Sequence, residues 1–500
     1  IESDRLKKAG REEEAGRLRW QAEKGYLGCA NREFRLGIVL VLLAALDQTR
    51  EAGGRAIALA QTALAHLAND RPSFSESDKL LQNKWFSAAY ETMAYAHRAE
   101  GRREEAEKNF EKALEWWPDD PNTLSNMAGL YINDGNPQKC IDLANKAALL
   151  APDDHENNWN LALAHLELGH WVIGFERYHK AVLGKTRLNL NYWSAGKTPL
   201  WDGSPGKTVV VYGEQGVGDE IMFASCLPEF IEDCKHVIFD CHPRLESLFK
   251  RSFPGIEIFG TRKSNELGWA EGRNEIDACL PIGSLGMFYR RKDSDFRQYP
   301  EGYIKANPMR VEYYKGVLQD HYGDGPYVGL AWEGGIKKTR YDLRSIQLSQ
   351  WGPILSQTPD RFVSLHYMKE AAAAAKHYEF LHIQDAIDDL DEMAALIKAC
   401  DLVITVNQSL VHQAGALGVP CWVLTPSRPA WRYGLSGQRM IWYPSVRQFR
   451  QKMEEKDWGP CIDRVAQEFL GWRRKQEAAR SFKNMDGPMP EIQGEFMQGK

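Results

Sequence analysis

The stretch Val209-Val-Val-Tyr-Gly-Glu-Gln-Gly-Val-Gly-Asp-Glu-Ile-Met-Phe223 decides the fold of the second half of this chain. A short apolar run ends at Tyr212, and a helical pattern opens at Asp219. The loop between them contains three glycines, Gly213, Gly216 and Gly218. A strand that turns into a helix over bare backbone is where α/β proteins hold anionic ligands. A carboxylate at the mouth of this turn favours chemistry over simple phosphate binding.

Strand and helix patterns alternate from residue 207 onward. Strands are predicted at 207–212, 236–241, 256–260, 327–332, 361–366, 381–383, 402–406 and 421–424. Helices are predicted between them at 219–232, 244–251, 389–399 and 409–417. Such alternation predicts parallel sheets covered on both faces. We therefore expect an α/β part of two Rossmann-like lobes facing across a cleft, at 191–315 and 316–458, then a C-terminal helix at 459–480 and a disordered tail at 481–500.

The N-terminal part repeats with a period of 34 residues. Glycine recurs at Gly101, Gly135 and Gly169, and small or aromatic residues keep the same offsets around each of them. This pattern is that of the tetratricopeptide repeat, a pair of crossing helices. It predicts an α-solenoid over 1–190, with clear repeats at 87–188 and a degenerate copy at 37–70. Such arrays usually bind a peptide or protein partner; the alternatives are that the repeats only brace the second half or form a homodimer.

Composition narrows the function classes. The 500 residues carry a net charge of −5, which gives no support for nucleic-acid binding. Nine scattered cysteines without a Cys-x-x-Cys pair indicate neither a zinc site nor a disulfide framework, and they fit a cytoplasmic protein. The longest apolar run near the N-terminus, 36–46, is about half of the ~20 residues that a membrane span needs, so no span is expected.

The first candidate site is the loop 213–219. Asp219 at a helix start can take a proton from an attacking hydroxyl, or it can merely cap the helix and complement its dipole. Spacing alone does not separate these two roles. Glu214 and Gln215, together with the bare backbone at Gly216 and Gly218, are secondary candidates for contact with an acceptor.

Two further candidates follow predicted strands of the second lobe. Trp332 opens a loop that carries four cations within residues 337–344, which can neutralise a diphosphate or form a solvated basic loop. The stretch 406–420 starts a helix near Leu410, whose free N–H groups form an anion site. His412 in its first turn either contacts phosphate or ribose, or is a structural histidine.

These three stretches, in this order on two Rossmann-like units, resemble the GT-B glycosyltransferases of the ADP-heptose:lipopolysaccharide heptosyltransferase type. The resemblance is greater to bacterial proteins that join tetratricopeptide repeats to such a domain. The shared motifs are Trp201-Asp202-Gly203, Glu-Gln-Gly-x-Gly-Asp at 214–219, and Trp442-Tyr443-Pro444 with its basic tail. The resemblance covers roughly residues 85–455. The domain order also resembles that of O-GlcNAc transferases.

The resemblance implies a role for each matching residue. Asp219 matches the acidic residue proposed as general base. Lys338, with Arg340 or Arg344 as alternatives, falls in the loop that supplies a phosphate-binding lysine. The donor-binding motif, usually Asp-Thr/Ser-x-x-x-His, is matched by Asn407, Ser409, Leu410 and His412. Asn407 replaces the family acid, which contacts the donor sugar, so a different sugar or a weaker activity is an open alternative.

The resemblance implies an inverting glycosyltransferase that works without a metal. The donor substrate would be a nucleotide-diphosphate sugar, with hexosyl or heptosyl transfer and no other cofactor. The acceptor would be a protein or glycan hydroxyl recruited by the repeats. Two alternatives remain open: a catalytically weakened repeat scaffold that binds a nucleotide or a protein partner, and a sugar-nucleotide epimerase. The sequence does not identify the donor nucleotide, the sugar or the acceptor.

Overall fold

The computed structural model describes residues 38, 40–45, 53–68, 76–184, 198–262, 267–335, 340–357, 361–368 and 370–485. The chain forms two compact units, Ile1–His165 and Leu166–Lys500. The helix Trp171–Val182 therefore belongs to the second unit, although its sequence continues the repeat pattern. The domain limits at 190, 315 and 458 remain predictions.

The first unit is built from antiparallel helix pairs. Its helices are Gly53–Ala68, Glu76–Ala99, Arg103–Trp116, Pro121–Asn133 and Pro137–Leu150, and His155–Glu167 spans the end of the unit. The recurrent glycines of the sequence pattern terminate helices, with φ of 74°, 72° and 74° at Gly101, Gly135 and Gly169. This left-handed conformation is strained for any residue with a Cβ, which explains why glycine recurs at the same position of each repeat.

The first lobe of the second unit has a four-stranded parallel sheet. Its strands are β1 (Thr208–Tyr212), β2 (His236–Asp240), β3 (Glu257–Phe259) and β4 (Ala278–Pro281), in the order β3-β2-β1-β4. The fourth strand escaped the sequence analysis. The predicted helix 219–232 is divided into the helix Val217–Phe223, the 3₁₀ turn Ala224–Cys226 and the helix Leu227–Asp233. Pro228 lies in the first turn of the helix Leu227–Asp233, where its missing backbone N–H is tolerated. The lobe also contains the helices Glu246–Ser252 and Leu285–Tyr289.

The second lobe repeats this topology on a larger scale. Its strands are β5 (Val328–Ala331), β6 (Phe362–Ser364), β7 (Leu381–His382), β8 (Leu402–Val406), β9 (Cys421–Thr425), β10 (Arg439–Met440) and β11 (Tyr443–Arg450). The order is β10-β11-β9-β8-β5-β6-β7, and only β10 pairs antiparallel. The last two strands were not predicted. The helices of this lobe are Pro308–Tyr322, Tyr341–Arg344, Gly352–Leu355, Ala371–His377, Gln384–Asp388, Leu390–Ala399 and Ser409–Ala416.

In each sheet the strand order reverses beside the first strand, β1 in the first lobe and β5 in the second. Strand order 3-2-1-4-5-6, which β7-β6-β5-β8-β9-β11 follows, is the doubly wound Rossmann order, and β3-β2-β1-β4 is its first part. Ligands bind such sheets at the carboxyl ends of the strands beside the reversal. Those ends are the loops after β1, β5 and β8, which are the three stretches selected from sequence.

A long C-terminal helix, Gly459–Met485, packs on the second lobe through Cys461, Val465 and Phe469, which are buried with the sheet residues Phe362 and Phe449. It continues past residue 480, into the segment predicted to be a disordered tail; residues 486–500 lie outside the described part. None of the described helices is both long and apolar enough to cross a bilayer.

Candidate functional site

The glycine loop holds its acid at the start of a helix. Asp219 lies in the first turn of Val217–Phe223, and the N–H of Gly216 donates to its Oδ2 at 3.2 Å. Gly213 must be small, because a Cβ there would lie 2.4 Å from the carboxyl carbon of Glu220. The capping role considered for Asp219 is therefore present in the structure. It occupies one carboxylate oxygen and leaves the other for a different partner.

The second oxygen of Asp219 is bound by an arginine of the other lobe. The guanidinium of Arg432 donates to Asp219 Oδ1, and each side chain is about one-fifth exposed, at 21% and 20%. Arg432 lies on the 3₁₀ turn Trp431–Tyr433, in the loop that follows β9. The sequence analysis missed this residue. Its position after a strand of the second lobe was the available signal, since such loops face the cleft.

Glu214 is held under the loop by the last repeat-like helix. The hydroxyl of Tyr178 donates to its Oε1 at 2.8 Å, and the N–H of Gly283 donates to the same oxygen at 3.2 Å. Among the described residues, the buried Oε2 has no hydrogen-bond partner. Burial, with a smaller contribution from the charge of Asp219, raises the pKa of Glu214 to about 7. Glu214 therefore supports the loop from beneath, and its carboxyl group titrates near neutral pH.

A second buried carboxylate, Glu220, braces the loop from the other side. It is fully buried, accepts the N–H of His242 at 2.8 Å and pairs with Arg262 at 2.9 Å. Burial raises its pKa to about 8, although the positive charge of Arg262 opposes the shift. Arg262 also donates to the backbone carbonyl of Gln215. Gln215 therefore contributes its backbone carbonyl, which anchors the loop to Arg262.

The two lobes meet where two helix N-termini face each other. A Cβ on Gly218 would lie 3.1 Å from both Ser409 Cα and His412 Cδ2, so only glycine fits without a backbone shift. Ser409 starts the helix Ser409–Ala416 directly after β8. Free N–H groups at such an end favour an anion. The helix that carries the acid of the first lobe and the helix start of the second lobe are consequently close neighbours.

His412 is buried beside this contact. Its Nδ1 lies 3.0 Å from the hydroxyl of Tyr443, and burial, then the charge of Arg432, holds its pKa well below the usual value. A neutral imidazole that shares a hydrogen bond with β11 fits the structural role. The same ring also flanks Gly218, so His412 shapes the point where the lobes meet.

The basic loop after β5 is described only in part. Lys338 lies in 336–339, outside the described residues. Arg340 donates to the carbonyls of Arg428 and Pro429 at 3.1 and 3.3 Å. Arg344 donates to the carbonyl of Asn407 at 3.1 Å, and burial lowers its pKa. Both arginines therefore lie against loops that end at the cleft.

Trp332 does not reach the cleft. It is 4% exposed and stacks on His366 with ring centroids 4.1 Å apart, within the core of the second lobe. His366 is itself buried, which lowers its pKa to about 3. The structure therefore gives Trp332 a packing role, and its donor contact stays a prediction. The strand β5 ends immediately before this tryptophan, which makes it part of the buried sheet layer.

A cavity of about 490 Å³ opens beside the helix start at Ser409. Leu365, Ile387, Leu390 and Met393 form an apolar wall, and the polar lining includes Tyr367, Gln408, Ser409 and Gln413. The first lobe contributes Val217 and Arg244, whose guanidinium donates to the carbonyl of Asp388 at 3.3 Å. The lining of this cavity therefore mixes apolar and polar groups. Leu410 also lines the cavity.

Asn407 lies at the end of β8 and is 2% exposed. Among the described atoms, its Oδ1 and the Oε1 of Gln408 have no hydrogen-bond partner. Buried polar atoms without partners are costly, and a bound ligand is one way of satisfying them. The described residues contain no group of three or more His, Cys, Asp and Glu placed to hold a metal ion.

The chain thus combines tetratricopeptide repeats with two α/β lobes whose parallel sheets follow the Rossmann strand order. A family model for the tetratricopeptide repeat matches residues 97–169. Together with the two Rossmann-ordered sheets, this match confirms the fold class predicted from sequence.

A curated relative matches most of the chain. Protein FlbA of Caulobacter vibrioides is 29% identical over 384 residues, which are 71% of this chain and 62% of FlbA. The chain therefore covers less than two thirds of that relative's length.

Several solved structures of transferases are similar to this chain. The ADP-heptose lps heptosyltransferase II of E. coli is 14% identical and covers 55% of this chain and 99% of its own, with a TM-score of 0.38. A glycosyl transferase family 9 protein of Veillonella parvula is 10% identical, over 57% and 99%, with a TM-score of 0.35. An O-GlcNAc transferase variant of Thermobaculum terrenum is 14% identical, over 91% and 98%, with a TM-score of 0.31.

Proposed function

We propose that this protein is an inverting, metal-independent glycosyltransferase that moves a sugar from a nucleotide-diphosphate sugar to a hydroxyl acceptor. The observation that carries the proposal is the meeting of the two helix N-termini at Gly218. It brings the helix that carries Asp219 against the start of the helix Ser409–Ala416. This contact supports the proposal because glycosyl transfer needs both a base and a place for the leaving diphosphate.

The proposed reaction uses the two lobes separately. The nucleoside would occupy the cavity beside Ser409, and its diphosphate would lie at the N-terminus of the helix Ser409–Ala416. Asp219 would accept the proton of the acceptor hydroxyl as that oxygen attacks the anomeric carbon from the opposite face. The bond from this carbon to the diphosphate breaks, and the configuration inverts.

Protein cations would take the charge of the departing diphosphate. Arg344 lies against the end of β8, and Lys338 belongs to the same basic loop of the sequence. Fixed cations in a partly dry site stabilise developing negative charge without a metal ion. This supply of positive charge supports the proposal of a metal-independent reaction.

The repeats would recruit the acceptor, a protein or a glycan. Tetratricopeptide arrays usually present a surface for a peptide or protein.

Thermal-shift and turnover assays on the full chain test the function. UDP-, GDP-, ADP- and CDP-sugars are screened with EDTA present, and a donor at 100 times its Kd adds about 2.7 kcal/mol to stability. Lys338→Ala should abolish the shift, whereas Lys452→Ala, a matched loss of an exposed cation, should retain it. Asp219→Ala should keep the shift and lose about 10²- to 10⁴-fold in turnover.

The competing functions give different results. A sugar-nucleotide epimerase would convert the donor without any acceptor. A scaffold that has lost catalysis would bind a nucleotide and never turn it over. If none of the four donors shifts the melting temperature, the transferase proposal is wrong.

A further inference from the structure

Arg432 lies where the proposed base, Asp219, adjoins the proposed diphosphate site. Its guanidinium donates to Asp219 on one side. On the other side, the ring of its neighbour Tyr433 lies 6.2 Å from the ring of His412, in the helix that begins at Ser409, where the diphosphate is proposed to lie. The charge of Arg432 also contributes to the lowered pKa of His412. In this structure one carboxylate of the opposite lobe carries the ion pair of Arg432.

The backbone that carries Arg432 is firmly held. The carbonyl of Tyr433 accepts the side-chain amide of Gln448 at 3.0 Å and the guanidinium of Arg450. Trp431 packs between Phe175 and Phe223, at ring-centroid distances of 6.3 and 6.4 Å. A rigid turn leaves rotation of the side chain as the means by which Arg432 can change partner.

The side chain retains capacity for a second partner. The Nε of Arg432 has no hydrogen-bond partner among the described residues. A guanidinium presents five N–H groups in a planar fork that matches a phosphate bidentately. A dianionic diphosphate at the neighbouring helix N-terminus would therefore compete with Asp219 for the same fork.

We propose that Arg432 exchanges partners during the reaction: it binds Asp219 in the empty site and the diphosphate of the nucleotide when donor is bound. The exchange releases the carboxylate of Asp219 to accept the acceptor proton only after the donor has entered. Arg432 is then a catalytic residue at the leaving group, and the base stays occupied until a leaving group is present. This inference rests on the proposed transferase function.

The exchange predicts that removing the charge of the proposed base makes the protein bind a nucleotide more tightly. Asp219→Asn keeps an oxygen that can cap the helix but removes the charge that binds Arg432. The affinity for a nucleoside diphosphate should therefore increase, by about fivefold for an ion pair worth about 1 kcal/mol. Arg432→Gln should weaken binding about tenfold, since it removes a charge-assisted contact with phosphate.

The decisive measurement is a double-mutant cycle by isothermal titration of the full chain with UDP, GDP, ADP and CDP. Removal of the Asp219 charge also relieves its direct repulsion of phosphate, and that effect would persist without the arginine. Under the exchange, Asp219→Asn gains clearly less affinity in the Arg432→Gln background than in the wild-type background. A gain of equal size in both backgrounds, or no gain in the single variant, overturns the inference.

Two outcomes are kept apart by design. If none of the four nucleotides binds the wild-type chain, the transferase function fails, and the inference fails with it. If wild type binds and Asp219→Asn binds no tighter, only the exchange is refuted. Where Arg432→Gln does not fold, Arg432→Lys replaces it, because a lysine retains the charge and loses the planar fork. A failure of Asp219→Asn to bind tighter than wild type refutes the exchange without either arginine variant.

Discussion

The hydrogen bond from Tyr178 to Glu214 allows one prediction to be worked out in detail. Tyr178→Phe removes only the hydroxyl that donates to Glu214 Oε1 at 2.8 Å. The buried carboxyl group then retains the N–H of Gly283, which lies at 3.2 Å from the same oxygen. We expect a loss of about 1–2 kcal/mol of stability, the usual range for a hydrogen bond to a buried acceptor.

The loss should depend on pH, because burial raises the pKa of Glu214 from its ordinary value of 4.5 to about 7. A carboxyl group with a raised folded-state pKa favours the folded state below pH 4.5, and this contribution is lost as the pH rises towards 7. At pH 8 the group is ionised, and the lost bond is charge-assisted. At pH 5.5 it is protonated in the folded state, so the variant should lose less there.

Thermal melts at pH 5.5 and pH 8 measure the difference. A cost of 1 kcal/mol corresponds to a shift of about 1–2 °C for a unit of the size of Leu166–Lys500. Tyr289→Phe is the matched control, since the Tyr289 hydroxyl donates to Asp233 at 2.7 Å on the surface. The control should lose less and show no marked pH dependence. An equal loss at both pH values, or a larger loss at pH 5.5, would refute the reasoning.

Three further predictions concern packing and backbone strain. Gly218→Ala should lower turnover at least tenfold and the melting temperature only slightly, because its Cβ would displace the backbone of the facing helix; unchanged turnover would contradict the close approach. Arg290→Met should cost about 3 kcal/mol in thermal melts, since Arg290 is 1% exposed and would leave Glu229 without its ion pair. Gly135→Ala should cost about 1 kcal/mol because φ is 72°, whereas Gly54→Ala in an open helical position should stabilise, and far-UV circular dichroism melts distinguish the two signs.

Local patterns in the sequence were enough for the repeats and for most strands. Spacing of Gly101, Gly135 and Gly169 marks the turns, because only glycine adopts φ near 70° without strain. Apolar runs that end at glycine or polar loops located β1 and β8 to within a residue. The strand β4 was missed because Ala278–Pro281 is four residues long and lacks alternation, and it is a strand only because β1 pairs with it.

The sequence also located the loops of the site, because the carboxyl ends of parallel strands meet in every Rossmann-type sheet. It identified Asp219 and the helix start at Ser409 for that reason. It could not assign Trp332 to the core, since a tryptophan at a strand end has the same local pattern whether it faces a cleft or a neighbouring ring. Burial against His366 is a property of the folded lobe.

The sequence by itself determined the repeats, the two α/β lobes and the acid at the mouth of the first glycine loop, because helix period, strand length and glycine turns are local properties. Tertiary structure alone decided which groups meet Asp219. Arg432 lies 213 positions further along the chain, and Tyr178 supports the same loop from a helix that precedes it. No local pattern encodes such contacts, because the residues involved are far apart in the sequence. Their side chains come together, and are removed from water, only when the two lobes pack against each other.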